Sequence, residues 1–575
     1  MKRIRACTLI LLAVVLLVPA PVHAQAGRSD VPARNGMVVS SHYIGSEVGR
    51  DILMQGGNAV DAAIATAFAL AVVYPTAGNI GGGGFLVYHG ADGHATVFNF
   101  REKAPLAATR DMYLGEDGRV NDNSNHDGLL SVGVPGTVAG LALAHERLGS
   151  LPWADLLEPA VRLAREGFPF SWAMVGMSER IRSMAQEDPI YQTTADMMLK
   201  GGETPYAPGE TWKQPDLADT LERIRDNGRD GFYRGETARL VAEFMRTNGG
   251  IITEEDLALY EAEEREPVRG TYRGYDVISM SPPSSGGVAV IEMLNILEGF
   301  DLAEIGHNSA LYLHLLTEAM RRAFADRAEY IGDPVFNPDM PVDRLISKEH
   351  AEELRESIDL FMASESDSSR FGAAFATAYE SEETTHFSVV DAVGNAVSLT
   401  YTLEYGYGSR IVVEGAGFLL NNEMGDFNAI PGHTDSGGTI GTRPNQISPQ
   451  KRMLSSMTPT IIARDGKPVF LTGSPGGRTI INTVLQTILN FVDHGMSAAE
   501  AVEAPRIHHQ WLPDRTTFES LGFSPDTIRL YQMMGHVASR RGSQGSAMAI
   551  HIDHASGIRY GAADSRGFDS RAVGY

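Results

Sequence analysis

The chain has 575 residues, 43% hydrophobic and 21% charged, with a formal net charge of −24 and one cysteine. That length and composition suit a globular protein with a large core. The acidic balance, with no basic stripe to override it, excludes a surface built for nucleic-acid phosphates or anionic lipid.

The N-terminus reads as a secretory signal peptide over 1–24. Lys2, Arg3 and Arg5 form a basic start, Cys7 to Val18 is a short apolar run, and Val22-His23-Ala24 ends in a small-residue cleavage pattern. The apolar run falls short of the roughly 20 residues a membrane span needs. Cleavage there removes three bases, taking the charge from −24 to −27, and removes Cys7, the only cysteine. An exported protein without disulfides, periplasmic or secreted, must take its stability from core packing. Its chemistry has no thiol nucleophile and no thiolate metal site.

The first mature segment reads as α/β structure. Val38 to Ser41 is strand-like, Glu47 to Leu53 starts a helix, and Asp61 is the expected N-cap of a second helix running to Val73. That second helix is apolar on most sides, as a helix buried between layers would be. Gly78 to Gly84 follows, ahead of a strand over Phe85 to Tyr88. The glycines lack the Lys-Ser/Thr of a nucleotide loop and lead into a strand, so they read as a turn where backbones approach closely. Mixed helical patterns and turns fill 135–350, with a loop at Ser281 to Gly287 and a helix from Val288 to Leu297. Residues from about 362 to 383 are rich in Ser, Ala and acids and poor core material, and read either as a mobile acidic tail released on cleavage or as an ordinary surface loop.

From Thr384 the pattern turns to β. Thr384 to Val390 alternates, Asp391 to Asn395 can turn, and Ala396 to Leu403 alternates again, which predicts a hairpin. In its second strand Ser398, Thr400, Thr402 and Glu404 share one face, a row of hydroxyls ending in a carboxylate that suits a polar site. A threonine at the head of a strand, directly after a polar stretch, suits a protein that cuts itself there. The new N-terminal amine and the hydroxyl then supply base and nucleophile on one residue.

The stretch Thr384-Thr385-His386, with Gly394-Asn395, Thr400, Thr402-Leu403-Glu404 and Tyr407-Gly408, resembles the signature of the gamma-glutamyltranspeptidases (glutathione hydrolases). Phe100-Arg101-Glu102-Lys103-Ala104-Pro105, Pro135 to Gly140, Ser281 to Gly287, Leu420 to Met424, Leu454-Ser455-Ser456-Met457, Gly473 to Gly477 and Gly574-Tyr575 resemble the same family, in order along the chain. The resemblance implies an α+β fold, the four-layer αββα sandwich of the N-terminal-nucleophile hydrolases, and a self-cleaving zymogen. The cut between Glu383 and Thr384 would give a large subunit, 25–383, and a small catalytic subunit, 384–575, held as a heterodimer.

The same resemblance implies roles. Thr384 would be the nucleophile, activated by an α-amine whose ordinary pKa is about 7.7–8.0, and Thr402 would position it. Gly476 and Gly477 would donate backbone N–H groups to the oxyanion, each such donor being worth about 2.7–4 kcal/mol of barrier. Arg101, Ser455 and Ser456 would bind the donor's α-carboxylate, and Glu423, Asp426 and Glu404 its ammonium. His386, on the same face as Thr384, is assigned no acid–base work. Donors would be glutathione and other gamma-glutamyl amides; water, an amino acid or a dipeptide would accept. At Glu404 many members have asparagine, and Gly425 stands where several have an acidic residue. Phe427 to Met453 is long enough for the family's lid loop but has no aromatic gate near Gly437. Two alternatives are a glutaryl (cephalosporin-type) amide acylase on the same fold, and an uncleaved, inactive exported binding protein. No cofactor or metal is implied, His508-His509 and the other histidines offering no ligand constellation.

Overall fold

The computed structural model describes residues 29–366 and 383–575. The expected signal peptide and residues 367–382 of the expected tail or loop lie outside the described residues. Two seven-stranded antiparallel sheets pack face to face between helices. The first runs, in spatial order, through Arg571–Gly574, Met37–Ser40, Thr385–Val390, Ala396–Thr402, Gly83–His89, Ala95–Phe100 and Glu263–Arg265. The second runs through Val31–Ala33, Ile558–Ala563, Met548–Asp553, Lys467–Gly473, Thr460–Arg464, Tyr275–Ser279 and Val268–Tyr272.

Strand alternation divides the core in two. Val38, Leu86, Phe387, Val389, Val397, Leu399 and Tyr401 face outward under helices Tyr43–Met54, Ala59–Val73 and Thr137–Leu148. Met37, Val39, Phe85, Val87 and Val390 face the second sheet, which helices Gly286–Leu297, Ala310–Tyr330 and Thr479–Val492 cover on its far side. The expected αββα sandwich and the hairpin are both present, with Thr385 opposite Tyr401 and Val390 opposite Ala396.

Three local expectations need correction. Every residue of Ala59–Val73 is buried, as its all-round apolar pattern predicts, but its cap is Asn58, not Asp61. The Asn58 side chain accepts from the Val60 and Asp61 amides, while the Asp61 carboxylate accepts from the Asn58 amide at 2.9 Å, a reciprocal capping box. The hydroxyl row on Ala396–Thr402 is not all site. Ser398 reaches Thr472 O at 3.3 Å in the second sheet, and Thr400 meets His386 Nδ1 at 2.8 Å, so the inner part of the row forms a polar seam between sheets. Residues 362–366 do not begin a free tail. The Ser364 amide donates to Glu318 Oε1 at 3.1 Å, and the Ser366 amide to Asp514 Oδ2 at 2.7 Å.

The glycine run acts through close approach. A Cβ on Gly82 would lie 2.1 Å from Thr402 O, and Asn79 ties the same carbonyl (2.9 Å) to the Gly82 amide (2.9 Å). Gly82→Ala is therefore expected to destabilise the protein by about 1–3 kcal/mol through overpacking. Gly176→Ala, in a helix with nothing within 4 Å of the added carbon, should be neutral or slightly stabilising. Thermal unfolding of the two variants side by side checks this; equal midpoints would contradict it.

Candidate active site

The end of the hairpin opens into a cavity of about 490 Å³. Thr384 immediately precedes the strand Thr385–Val390, and Thr402 ends its partner strand; both are about 4% exposed. The Thr384 hydroxyl donates to Glu383 O at 2.8 Å, the Thr402 hydroxyl lies 3.2 Å from the same carbonyl oxygen, and the two hydroxyl oxygens are 3.4 Å apart. Thr402 Oγ1 also accepts the Glu404 amide at 2.9 Å. In the continuous chain Thr384 N is an amide, so the hydroxyls alone confront this carbonyl.

His386 lies deeper and does no visible acid–base work. Its ring is buried between Thr400 and Ser388 hydroxyls, at 2.8 and 3.1 Å, and burial pulls its pKa down to about 3. His508 and His509 are held apart from the cavity by Asn482, Gln510 and Asp514.

Of the residues named from sequence, Thr384, Thr402, Arg101, Glu404, Glu423, Asp426, Ser455, Ser456 and Gly477 line the cavity. Gly476 does not line it. It precedes Gly477 in the turn that enters helix Thr479–Val492, and its carbonyl accepts Thr479 Oγ1 at 2.7 Å. Both glycines have positive φ, +136° and +56°, a conformation that side chains disfavour.

Arg101 is fully buried and forms ion pairs with Glu423 and Asp426, while Nε and Nη2 donate to the carbonyls of Met453 (3.3 Å) and Leu454 (3.1 Å). Groups expected to bind opposite ends of a zwitterion thus bind each other. Burial opposes the charge on Arg101, but Glu423, Asp426 and Glu102 outweigh it and raise its pKa. Burial lifts Glu423 well above the usual carboxylate range despite Arg101, and carries Glu102 and Glu404 up to about 7. Three carboxyls, Glu404, Glu423 and Asp426, thus line the cavity near Arg101 and His126, with Glu102 behind them, an arrangement that favours an incoming ammonium. Just beyond Leu454, Ser455 O accepts from the Ser285 amide (2.9 Å) and hydroxyl (2.7 Å). Ser456 Oγ accepts from Arg327 Nη2 at 3.0 Å, which leaves its own proton to donate.

Sequence reading missed His126, Arg327 and Asn445. His126 stacks on Tyr405 with ring centroids 5.0 Å apart, and its Nδ1 lies 3.1 Å from Glu404 Oε1. A Cβ on Gly425 would fall 2.1 Å from that Nδ1, so the departure at 425 makes room for the histidine. Asn445 donates to Asp426 O at 2.7 Å and accepts the Leu454 amide at 2.8 Å, fixing both sides of Arg101. No motif marked these residues. Arg327 sits in the last turn of helix Ala310–Tyr330, Asn445 ends a short 3-10 turn, and His126 sits in an irregular segment. Ile430, Gly438, Thr439 and Ile440 of the expected lid segment are among the residues lining the cavity.

A gamma-glutamyltranspeptidase family model matches residues 45–574. The chain belongs to the gamma-glutamyltranspeptidase family. It is 45% identical over 562 residues to the glutathione hydrolase proenzyme of Escherichia coli, covering 97% of this chain and 95% of that one. Its fold is similar to a cephalosporin acylase from Bacillus halodurans, with a TM-score of 0.84 at 29% identity over 98% of this chain and 99% of that one. It is also similar to Helicobacter pylori gamma-glutamyltranspeptidase, with a TM-score of 0.55 at 44% identity over 56% of this chain and 92% of that one.

The His126–Glu404 pair yields a test independent of any substrate. Burial alone would lower the His126 pKa, but Glu404's charge and hydrogen bond raise it above 6.5. In Glu404→Gln that charge is gone while burial remains, so His126 should titrate lower than in the parent protein. NMR of histidine-labelled protein reads this directly, and an unchanged His126 pKa would contradict the pairing.

Proposed function

We propose that the protein is a self-cleaving gamma-glutamyl transferase and glutathione hydrolase with Thr384 as nucleophile. The observation that carries this reading is the convergence of the Thr384 and Thr402 hydroxyls on the Glu383 carbonyl, at the mouth of a cavity holding Arg101, Glu423 and Asp426.

Maturation begins when Thr384 Oγ1 attacks the Glu383 carbonyl carbon. The carbonyl oxygen takes the negative charge, and the Thr402 hydroxyl donates to it. The C–N bond then breaks, nitrogen takes the proton, and Glu383 is left as an ester on Thr384. That step frees the Thr384 amine; water then hydrolyses the ester, releasing the Glu383 carboxylate and restoring the Thr384 hydroxyl, to give a large subunit ending at Glu383 and a small one, 384–575. With a pKa near 8 the freed amine is a suitable base at neutral pH.

In turnover the donor's α-carboxylate takes Arg101, Ser455 and Ser456, and its ammonium takes Glu423, Asp426 and Glu404, replacing the protein's internal ion pairs with matched external ones. Thr384 Oγ1 attacks the γ-carbonyl while its amine accepts the proton, and the N–H groups at Gly476 and Gly477 stabilise the oxyanion. The amine returns the proton to the leaving amine, cysteinylglycine when glutathione is the donor. Water or an amino acid or dipeptide resolves the gamma-glutamyl ester. No cofactor enters these steps. A glutaryl group, as in the acylase alternative, brings a carboxylate but no ammonium, and would leave the acidic end of the cavity unpaired. Export by the 1–24 signal belongs to the same proposal; among the described residues no helix is long and apolar enough to cross a membrane.

Intact mass of the incubated protein tests maturation. Two polypeptides meeting at Glu383–Thr384 are expected, and Thr384→Ala should remain one chain with no turnover. A wild-type chain that stays whole would leave the inactive binding-protein reading. With gamma-glutamyl and glutaryl anilides the former should be the better substrate. Asp426→Asn should raise KM for the gamma-glutamyl donor at least about tenfold, a charged hydrogen bond being worth about 1.5–3 kcal/mol, and should leave KM for the glutaryl compound little changed. The reverse preference would favour the acylase.

A further inference from the structure

Away from the cavity, three helices bring together Glu292 of Gly286–Leu297, Asp326 of Ala310–Tyr330 and His350 of Lys348–Glu356. One ligand atom from each lies within 4.8 Å of the other two. Glu292 is 1% exposed, and its Oε1 has no hydrogen-bond partner. His350 is 5% exposed, with Nε2 2.8 Å from Asp326 Oδ2. The Asp326 side chain is about 20% exposed and gives the cluster its opening to solvent.

A second triad, His314, Glu318 and His536, is a useful contrast. There Glu318 is bound by Arg321, Arg322 and the Ser364 amide, and the two imidazoles bond each other at 2.7 Å. Those ligand atoms are spoken for. In the first triad two carboxylates face each other in a buried place with no guanidinium or ammonium bonded to either among the described residues. Placing two carboxylates together in such a site is costly, and Arg344 offsets this only from a distance, bonded to neither. A divalent cation lying between them would supply positive charge there.

We propose that Glu292, Asp326 and His350 bind one divalent transition-metal cation, of the Zn²⁺ or Mn²⁺ type, as a clip across the outer helical layer. Two carboxylates balance its charge, and an imidazole with two carboxylate oxygens is a donor set suited to borderline cations. It is too poor in oxygens for Ca²⁺, which takes six to eight. The clip would steady the cavity wall, because the residues after Asp326 serve it. Arg327 holds Ser285 and Ser456, and Ala328 O accepts Thr442 Oγ1 of the lid at 2.5 Å.

The test is equilibrium dialysis of tag-free, chelator-stripped full-length protein against Zn²⁺ or Mn²⁺, with elemental analysis and thermal unfolding. One equivalent per chain and a raised midpoint are expected. Glu292→Gln and His350→Phe should each weaken binding at least about tenfold and remove the midpoint rise, while circular dichroism stays native. If Glu292→Gln fails to fold, His350→Phe decides alone. Absence of stoichiometric binding by the wild type would overturn the proposal. So would binding unchanged in the folded variants, which would mark an adventitious ion elsewhere.

Discussion

The pairing of Thr385–Val390 with Ala396–Thr402, clamped between Met37–Ser40 and Gly83–His89, is the constraint on which the site rests. It fixes Thr384 and Thr402 across a strand pair at the centre of a seven-stranded sheet, where neither can move without disturbing a ladder on each side. The Gly78–Gly84 turn presses against the Thr402 carbonyl, and the polar seam of His386, Thr400 and Ser398 ties the same strands to the second sheet. Two hydroxyls 3.4 Å apart are thus held by backbone rather than by side-chain packing alone, the more rigid of the two supports.

Around that fixed pair the protein concentrates charge that it cannot fully ionise. Arg101 is surrounded by Glu102, Glu423 and Asp426, with Glu404 and His126 beside them. Breaking a buried pair of this kind is costly, while its net contribution to stability is small. Its value lies in the exchange it permits. A ligand carrying both an ammonium and a carboxylate can replace each internal partner without stranding a charge, whereas one with a single charge cannot. Another guanidinium, Arg327, reaches the cavity lining through the Ser456 hydroxyl.

Much of this was legible in the sequence, and the parts that were not share a reason. Alternation gave the hairpin, and all-round apolarity gave the buried helix Ala59–Val73, because both patterns are local. The contiguous motifs gave Arg101, Glu423, Asp426 and the serine pair. Alternation also put Ser398 and Thr400 on the face of Thr402, but periodicity says which residues share a face and not what covers it; a second sheet covers most of that one. Asp61 was read as a cap because a capping box contains two cap-like side chains, and only the backbone dihedrals separate them. His126 became visible only through space. Gly425 and Glu404 each departed from expectation, and both departures meet at its ring. Likewise Glu292, Asp326 and His350 come from three helices and share no motif.

Both sheets interleave strands from the two sides of the Glu383–Thr384 bond. In the first, Met37–Ser40 and Gly83–His89 flank the hairpin; in the second, Val31–Ala33 and Tyr275–Ser279 flank strands drawn from after residue 459. Two polypeptides made by a cut at that bond would have no separate cores to retreat into, so dissociation and unfolding would be one event and dilution would not part them. Folding before the cut is first order in protein, and recovery from full denaturation after it is second order.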